Sequence, residues 1–435
     1  MGKIFINATK NYGDKIKNIV EREKSRVDGV YYSLADIQTK HITELNNFLS
    51  GKIIFKDFPI YYLLYDNSYI SKYLNPTTEA VKDRDGNVLI QKTTEGNNKL
   101  LCLKSNVDFP KFESLPLESS EYVDYRDDIL FCIKNYYLRF YQNCPYMTTP
   151  TFLLDKTDSW KDIIIDDVLQ HTNIYLKDES KRDVFLSVLI NVELFNSFNV
   201  ANKLLKYIRK YSFLTGISVS ITNSASIYTY DSKEYQNILS FIKELNFNDV
   251  KVFMNYCGIK DIPFSILDIE RFGVGWFSSF RSYDLESKGI DISQNSSFGK
   301  RIKKILLEYF MSEIPLELLE VLKIEDILEI IPVPISKLDD LSLSDLEQLY
   351  WIEFLKIIEK NQVIEEKFTG DELTIKRCDL MLQKLDFGLK NLKYLVKKLN
   401  ESGRFDDAKK LENTNIYCIM TQIGAIREFK NKILI

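Results

Sequence analysis

The chain has 435 residues, 45% of them hydrophobic and 28% charged, with 16 glycines spread thinly along it. That balance excludes a disordered or collagen-like polymer, and no apolar run approaches the roughly 18 to 20 residues of a membrane-spanning helix. A net charge of −4 and a pI near 5.6 exclude a global basic field for gathering nucleic acid. The length exceeds one ordinary core, so two domains are expected.

Eight short apolar strand patterns, most of them followed by an amphipathic helix pattern, run from Lys3 to Arg281. The first three are Lys3 to Asn7, Gly29 to Leu34 and Lys52 to Asp66, rich in Ile, Val, Tyr and Phe. Residues 70 to 120 then read as an insertion. Within it Lys82 to Gln91 carries an Asp-Gly turn, and Leu100 to Ser105 is the expected partner of a β-hairpin. The alternation resumes with a helix from about Tyr122 to Tyr141 and strands at Thr151 to Asp155, Val184 to Leu194, Gly216 to Asn223, Val250 to Gly258 and Val274 to Arg281. These five runs are nearly continuous in apolar residues, as strands buried on both faces are. Ala201 to Tyr211, Glu234 to Leu245 and Phe264 to Gly273 have helical spacing.

An eightfold strand-helix alternation predicts an α/β fold, a (β/α)8 TIM-like barrel with a β-hairpin insertion, over residues 1 to 285. The competitor is an open, doubly wound sheet, but no Gly-rich turn for dinucleotide or P-loop phosphate binding follows any strand.

From about Phe298 the patterns turn helical, so residues 286 to 435 are expected to form an all-α domain. Ser342 and Asp345 have the spacing of a capping box, and the two prolines of IIPVPISKLDDLS (Ile330 to Ser342) mark a linker. Leu385, Leu389, Leu392, Val396 and Leu399 share a helix face, and the turn Glu401 to Asp407 reverses the chain into an antiparallel helical hairpin. Glu308 to Glu372 carries roughly a dozen excess negative charges and Leu373 to Ile435 roughly six excess positive ones. Complementary internal faces explain this most simply; a docking surface for a protein partner is the next reading. Nucleic-acid contact through Lys390, Lys393, Lys397, Lys398, Lys409 and Lys410 ranks below both, as does base stacking on the Tyr-rich runs at Phe58 to Leu74 and Ile133 to Met147.

MGKIFINATK lacks the apolar core and cleavage site of a signal peptide, and Ile6 stands where a myristoylation signal prefers Ser or Thr. The six cysteines, at 102, 132, 144, 257, 378 and 418, contain no C-x-x-C pair, which fits reduced thiols in a cytoplasmic protein.

In a barrel, chemistry gathers at the carboxyl ends of the strands. Those ends carry Asn7, Asp66, Asp155, Lys156, Asn191, Glu193, Thr222, Asn223, Asn255, Ser278, Ser279 and Arg281, with Asp36 just after the second strand. Taken singly, such residues are helix caps and loop starters. As a set they suggest an acid/base pair of Asp155 and Glu193, since a carboxylate in so apolar a run must be paired, bonded or protonated. Lys156 and Arg281 would hold an anionic group, with Asp66, Asn191, Asn223 and Asn255 as further ligand-binding residues. A Glu193 to Arg281 or Asp155 to Lys156 ion pair closing the mouth is the structural alternative. Only His41 and His171 are present, so no His-based metal site or nucleophile and no cofactor is expected; a carboxylate-bound Mg²⁺ at Asp66, Asp155 and Glu193 is the one metal alternative, since such sites leave no spacing signature across separate strands.

The layout resembles the TIM-barrel class in general over residues 1 to 285, and with its helical tail it is similar to uncharacterised bacterial and phage-encoded barrel families. No family motif carries functional residues across. Two readings follow. The favoured one is a barrel-scaffold interaction protein of a phage or host-defence type, binding a protein partner, or itself, through the charged helices. The alternative is a barrel enzyme, a hydrolase or glycosyl-transfer catalyst, acting on a small polar, sugar- or nucleotide-like substrate.

Overall fold

The computed structural model describes residues 3–7, 27–33, 53–57, 78–82, 88–93, 119–140, 146–154, 162–176, 183–197, 199–222, 229–275, 303–322, 330, 341–362 and 368–435, and the structural statements here concern those residues. Strands β1 (Lys3–Asn7), β2 (Val27–Ser33) and β3 (Ile53–Asp57) come first. A separate antiparallel pair follows, β4 (Thr78–Lys82) and β5 (Val88–Thr93), then helix α1 (Ser119–Phe140). The Asp-Gly turn therefore falls between β4 and β5; the hairpin partner expected at Leu100 to Ser105 lies outside the described residues. Next come β6 (Tyr146–Thr148), β7 (Phe152–Leu154), α2 (Asp162–Leu176), β8 (Asp183–Asn191), α3 (Leu194–Ser197), α4 (Val200–Lys210) and β9 (Leu214–Thr222). Helix α5 (Ser232–Phe247), β10 (Lys251–Cys257), a 3-10 segment (Ile259–Ile266) and β11 (Arg271–Gly275) complete the α/β region.

The main sheet has nine strands in the order β3-β2-β1-β11-β10-β9-β8-β6, with β7 also on β8, and each of its ladders is parallel. Strand β6 was not expected. Pro150, which has no N–H to give a ladder, divides the fourth strand unit into β6 and β7. Around the break Thr149 N donates to Phe185 O, Ser187 N donates to Thr149 Oγ1, and the Thr151 and Ser187 hydroxyls meet at 2.7 Å.

The sheet is curled. Strands β2 and β10 have β1 and β11 between them, so a flat sheet would hold them about 14 Å apart. Yet the Tyr31 and Phe253 rings, one from each, lie 5.7 Å apart, and Phe5 of β1 meets Phe253 at 5.6 Å. These rings mark the concave face. Strands β3 and β6, the two ends of the order, lie beside each other with no ladder between them among the described residues.

Alternation and register divide the side chains cleanly. The convex face carries Ile4, Ile6, Val30, Val184, Leu186, Val188, Ile190, Ile217, Val219, Ile221, Val252, Met254, Phe272 and Val274, all buried. Helices α4 and α5 pack on β9 and β10 with Leu204, Leu205, Ile238, Leu239, Ile242 and Leu245 buried. Asn199 caps α4 through Asn202 N, and Asp231 and Glu234 form a reciprocal capping box at α5. The concave face is aromatic toward the strand starts (Phe5, Tyr146, Phe185, Phe253), and Tyr31 stands level with Asn7. The face is small and polar toward their carboxyl ends (Asn7, Asn191, Ser220, Thr222, Asn255, Gly273, Gly275).

The last strand of the sheet corrects the expectation of a helix at Phe264 to Gly273 and starts ahead of the strand expected at Val274 to Arg281, which it meets at Val274 and Gly275; the rest of that expected strand lies outside the described residues. Here β11 begins at Arg271, and a 3-10 turn precedes it. Arg271, Gly273 and Gly275 all take the inward positions, so only Phe272 and Val274 signal a strand, and the apolar count places its start too late.

An all-α C-terminal region is likewise corrected. It opens with an antiparallel hairpin, β12 (Lys304–Leu307) and β13 (Ser312–Pro315), turning at Met311 with φ 49°. Short apolar runs are ambiguous between helix and strand, and Ile305, Leu306 and Leu307 are all buried, so no alternation is visible. Helices α6 (Leu316–Leu319), α7 (Leu343–Gln362), α8 (Gly370–Glu401), α9 (Phe405–Leu411), a π turn (Glu412–Ile416) and α10 (Tyr417–Leu434) follow. Ser342 caps α7 reciprocally with Asp345. Helix α8 ends at Gly403, whose φ of +80° suits glycine, and α8 and α10 form the expected helical hairpin. The linker prolines lie outside the described residues. Glu308 N donates to buried Glu353 Oε2 at 2.9 Å, tying the β-hairpin to α7.

The helical region docks on α5: Gln422 Nε2 donates to Tyr235 OH at 3.3 Å, Lys432 Nζ to Gln236 Oε1 at 2.7 Å, and Gln236 bonds Glu428. Its charges pair mainly within the hairpin, Lys430 with Asp379 and Arg427 with Asp386, and across to the α/β region, Arg377 with Asp268 and Lys243 with Asp371. Among the described residues no helix is long and apolar enough to cross a membrane.

Candidate functional site at the carboxyl ends of the strands

Of the sequence-predicted site residues, Asn7, Asn191 and Asn255 are brought to one place. Each is buried and ends a strand on the concave face, of β1, β8 and β10. Asp66, Asp155, Lys156, Asn223 and Arg281, together with Asp36, Ser278 and Ser279, lie outside the described residues. Glu193 departs from the burial expected of it. Strand β8 stops at Asn191, and Glu193 is exposed in the turn that follows. The reason is local: Asn191 Oδ1 accepts from Glu193 N at 3.0 Å, ending the strand and starting α3.

Asn7 and Asn255 differ from Asn191 in being underused. Asn7 is 2% and Asn255 4% exposed. Asn7 Nδ2 donates to Gly273 O at 3.3 Å, but Asn7 Oδ1 and both polar atoms of Asn255 have no hydrogen-bond partner. The two amides converge on Gly273, where a Cβ would collide with Asn255 Oδ1 and come within 2.8 Å of Asn7 Oδ1. Glycine at 273 thus leaves room for both. The backbone is irregular here too. Between Met254 and Cys257 β10 gains a residue on β11, and Tyr256 sits at φ 55° with its ring 6.2 Å from Tyr31. A bulge and a left-handed tyrosine cost free energy, about 1–3 kcal/mol for such a backbone, and concentrate at functional sites.

Beside the amides, past β9 and β10, lies a buried titratable cluster. Tyr230 OH donates to Asp261 Oδ1 at 3.0 Å, and Gly258 N donates to Oδ2 at 2.8 Å. Lys260 Nζ lies 4.6 Å over the Tyr230 ring, and Tyr235 OH donates to Lys260 O. Burial pushes the Asp261 carboxyl up to about 6, with Lys260 and the two hydrogen bonds opposing. Glu234 is raised, first by burial, with the charges of Asp231 and Glu193 adding and Lys260 opposing. The charges of Glu193 and Lys260 thus both reach Glu234.

At the strand starts the Arg271 guanidinium is fully buried and reaches Glu270 at 3.3 Å without a hydrogen bond. It closes the end opposite the amides. Among the described residues no group of three or more His, Cys, Asp or Glu could hold a metal. His171 is occupied by Asp167. Burial pushes the Cys378 thiol up to about 12 and the Cys418 thiol up to about 11, values that leave little thiolate near neutral pH.

Gly273, Tyr230, Lys260 and Asp261 escaped the sequence reading. Gly273 reads as the end of a helix, and Lys260 and Asp261 follow a strand with no spacing signature; a charged pair directly after a buried strand is the one available signal. No family model matches the chain, and no curated protein matches it in sequence.

Proposed function

We propose that this chain binds a small polar molecule on the concave face of its sheet, at the carboxyl ends of β1, β10 and β11. One observation carries the reading: Asn255 and Asn7 are buried around Gly273 with three polar atoms unpaired. A buried amide without partners costs about 1–3 kcal/mol per group, so a fold that keeps two of them beside a bulge has a use for them. The reading goes with a full (β/α)8-type barrel, in which this end is the functional one. In its support, neighbours in the sheet follow one another in the chain except β1 and β11 and, across the Pro150 break, β6 and β8, and the ends β3 and β6 lie together. If the site is catalytic, Glu193 and Asp155 are the acid/base candidates, and Glu193→Gln should abolish turnover without unfolding the chain.

The test is thermal unfolding of wild type and Asn255→Leu across a panel of small polar compounds. A compound that raises the wild-type Tm and leaves the variant unmoved supports the site. A panel whose stabilisers all act equally on both would overturn it.

A second reading, partner binding through the helical hairpin, is favoured by its surface. Phe387, Tyr394, Tyr417 and Met420 are exposed there. A groove of about 600 Å³ lined by Lys393, Val396, Lys397, Asn400, Glu412 and Ile416 opens beside the π turn. Such turns recur at functional sites. Association of the full chain lost on Lys393→Glu/Lys397→Glu would support it; association indifferent to both changes and to salt would not.

A further inference from the structure

Resting on that reading of the concave face, we infer that the part of the ligand reaching Asn7 and Asn255 is an uncharged group with at least two hydrogen-bond donors and one acceptor. The hydrogen-bond inventory sets this. Asn7 has already spent a donor on Gly273 O. What remains unmet is the Asn7 carbonyl oxygen, the Asn255 carbonyl oxygen and the Asn255 Nδ2 group, which is two acceptors and a donor.

Charged groups fail on both counts. A phosphate or carboxylate accepts only, so it would leave both carbonyl oxygens unmet and set its charge against them. An ammonium donates only, so it would leave Asn255 Nδ2 unmet. In a site shut off from water each mismatch costs the desolvation of the unmet group. The sites that discriminate most sharply are those built to bond an OH or NH. A ring edge with alternating donors and acceptors, or adjacent hydroxyls of a sugar, meets all three demands. Either also presents a flat face to the rings of Phe5 and Phe253, which lie one layer toward the strand starts on the same face, and to Tyr31, which stands level with Asn7.

The experiment follows the side-chain amide resonances of Asn7 and Asn255 in the 15N-labelled full chain, identified by their loss in Asn7→Leu and Asn255→Leu. Asn255→Asp, equal in shape, replaces the leucine variant should that fail to fold. The probes are adenosine, methyl α-glucoside, inorganic phosphate and acetate. One of the neutral probes should move both resonances, and which one does so tells a base edge from a sugar. Its affinity should fall about tenfold or more in the Asn255 variant, the scale of a lost buried hydrogen bond. Movement with phosphate or acetate alone would overturn the inference and leave the site standing. No movement with any probe at tens of millimolar would remove the site and the inference together.

Discussion

The Arg271 guanidinium lies 4.2 Å over the ring of Tyr146 although β10, β9 and β8 separate their strands. The pair crosses the inside of the curl and fills it at the strand starts, with Phe5 5.5 Å below the same guanidinium. None of its three nitrogens makes a hydrogen bond. A buried cation so poorly compensated is weak evidence for stability, and well-packed apolar replacements of such groups are often neutral or stabilising by about 1–4 kcal/mol. Arg271→Met should therefore keep or raise the urea midpoint. Arg271→Ala, which leaves a cavity, should lower it. A methionine variant that loses more than about 1 kcal/mol would mean that stacking on Tyr146 outweighs the desolvation.

Asp261 makes stability depend on pH. Burial holds its carboxyl near 6 in the folded chain against 3.8 for the free group. Between those values the folded chain keeps a proton the unfolded chain has released. Stability therefore falls as pH rises from about 4 to about 6, by at most about 3 kcal/mol, and levels off above. Asp261→Asn stays neutral and can still pair with Tyr230. Measured against wild type in urea, it should gain relative stability through that window; parallel profiles from pH 4 to 8 would count against the assignment.

Gly273 is the hinge of the candidate site. In Gly273→Ala the new methyl displaces the amides of Asn255 and Asn7, an overpacking expected to cost about 1–3 kcal/mol. Removing one amide relieves the crowding, so Gly273→Ala/Asn255→Ala should be more stable than the two single losses add up to. Strict additivity in a denaturation cycle would show that the methyl meets something else.

Two glycines of the helical hairpin separate propensity from packing. Gly388 faces the β12–β13 turn, where a Cβ would lie 2.8 Å from Phe310 O and 2.9 Å from Met311 Cβ. Beside it Asn391 Nδ2 donates to Tyr309 O at 2.8 Å. Gly424 in α10 has open space around it. Alanine gains about 1 kcal/mol over glycine inside a helix. Gly424→Ala should show that gain as a higher Tm. Gly388→Ala should lose more than it gains, and limited proteolysis should then cut near the β-hairpin first.

What the sequence revealed and what it concealed follow one rule. Runs whose convex residues are aliphatic and whose neighbours are apolar, such as β8, β9 and β10, announced themselves. The start of the strand whose inward positions are Arg271, Gly273 and Gly275 did not, because the concave face is where side chains are chosen for room and polarity. The same choice hid part of the site. Asn7, Asn191 and Asn255 were legible as polar residues closing apolar runs. Their different states were not, since one amide is spent on its own turn and two are left unpaired only by contacts across the sheet. Ile305 to Leu307 misled for the opposite reason: buried on both sides, they carry no period at all.

The ladder between β1 and β11 joins Lys3 to Arg271 and Asn7 to Gly275. It therefore sets a schedule for synthesis. On the ribosome β1 can pair with β2 early, but its other edge stays bare until more than 260 further residues have been made. A bare parallel edge invites wrong pairing, and such distant contacts fold slowly. Chains halted short of residue 271 should accordingly bind holdase chaperones and aggregate, while chains that have released β11 should not.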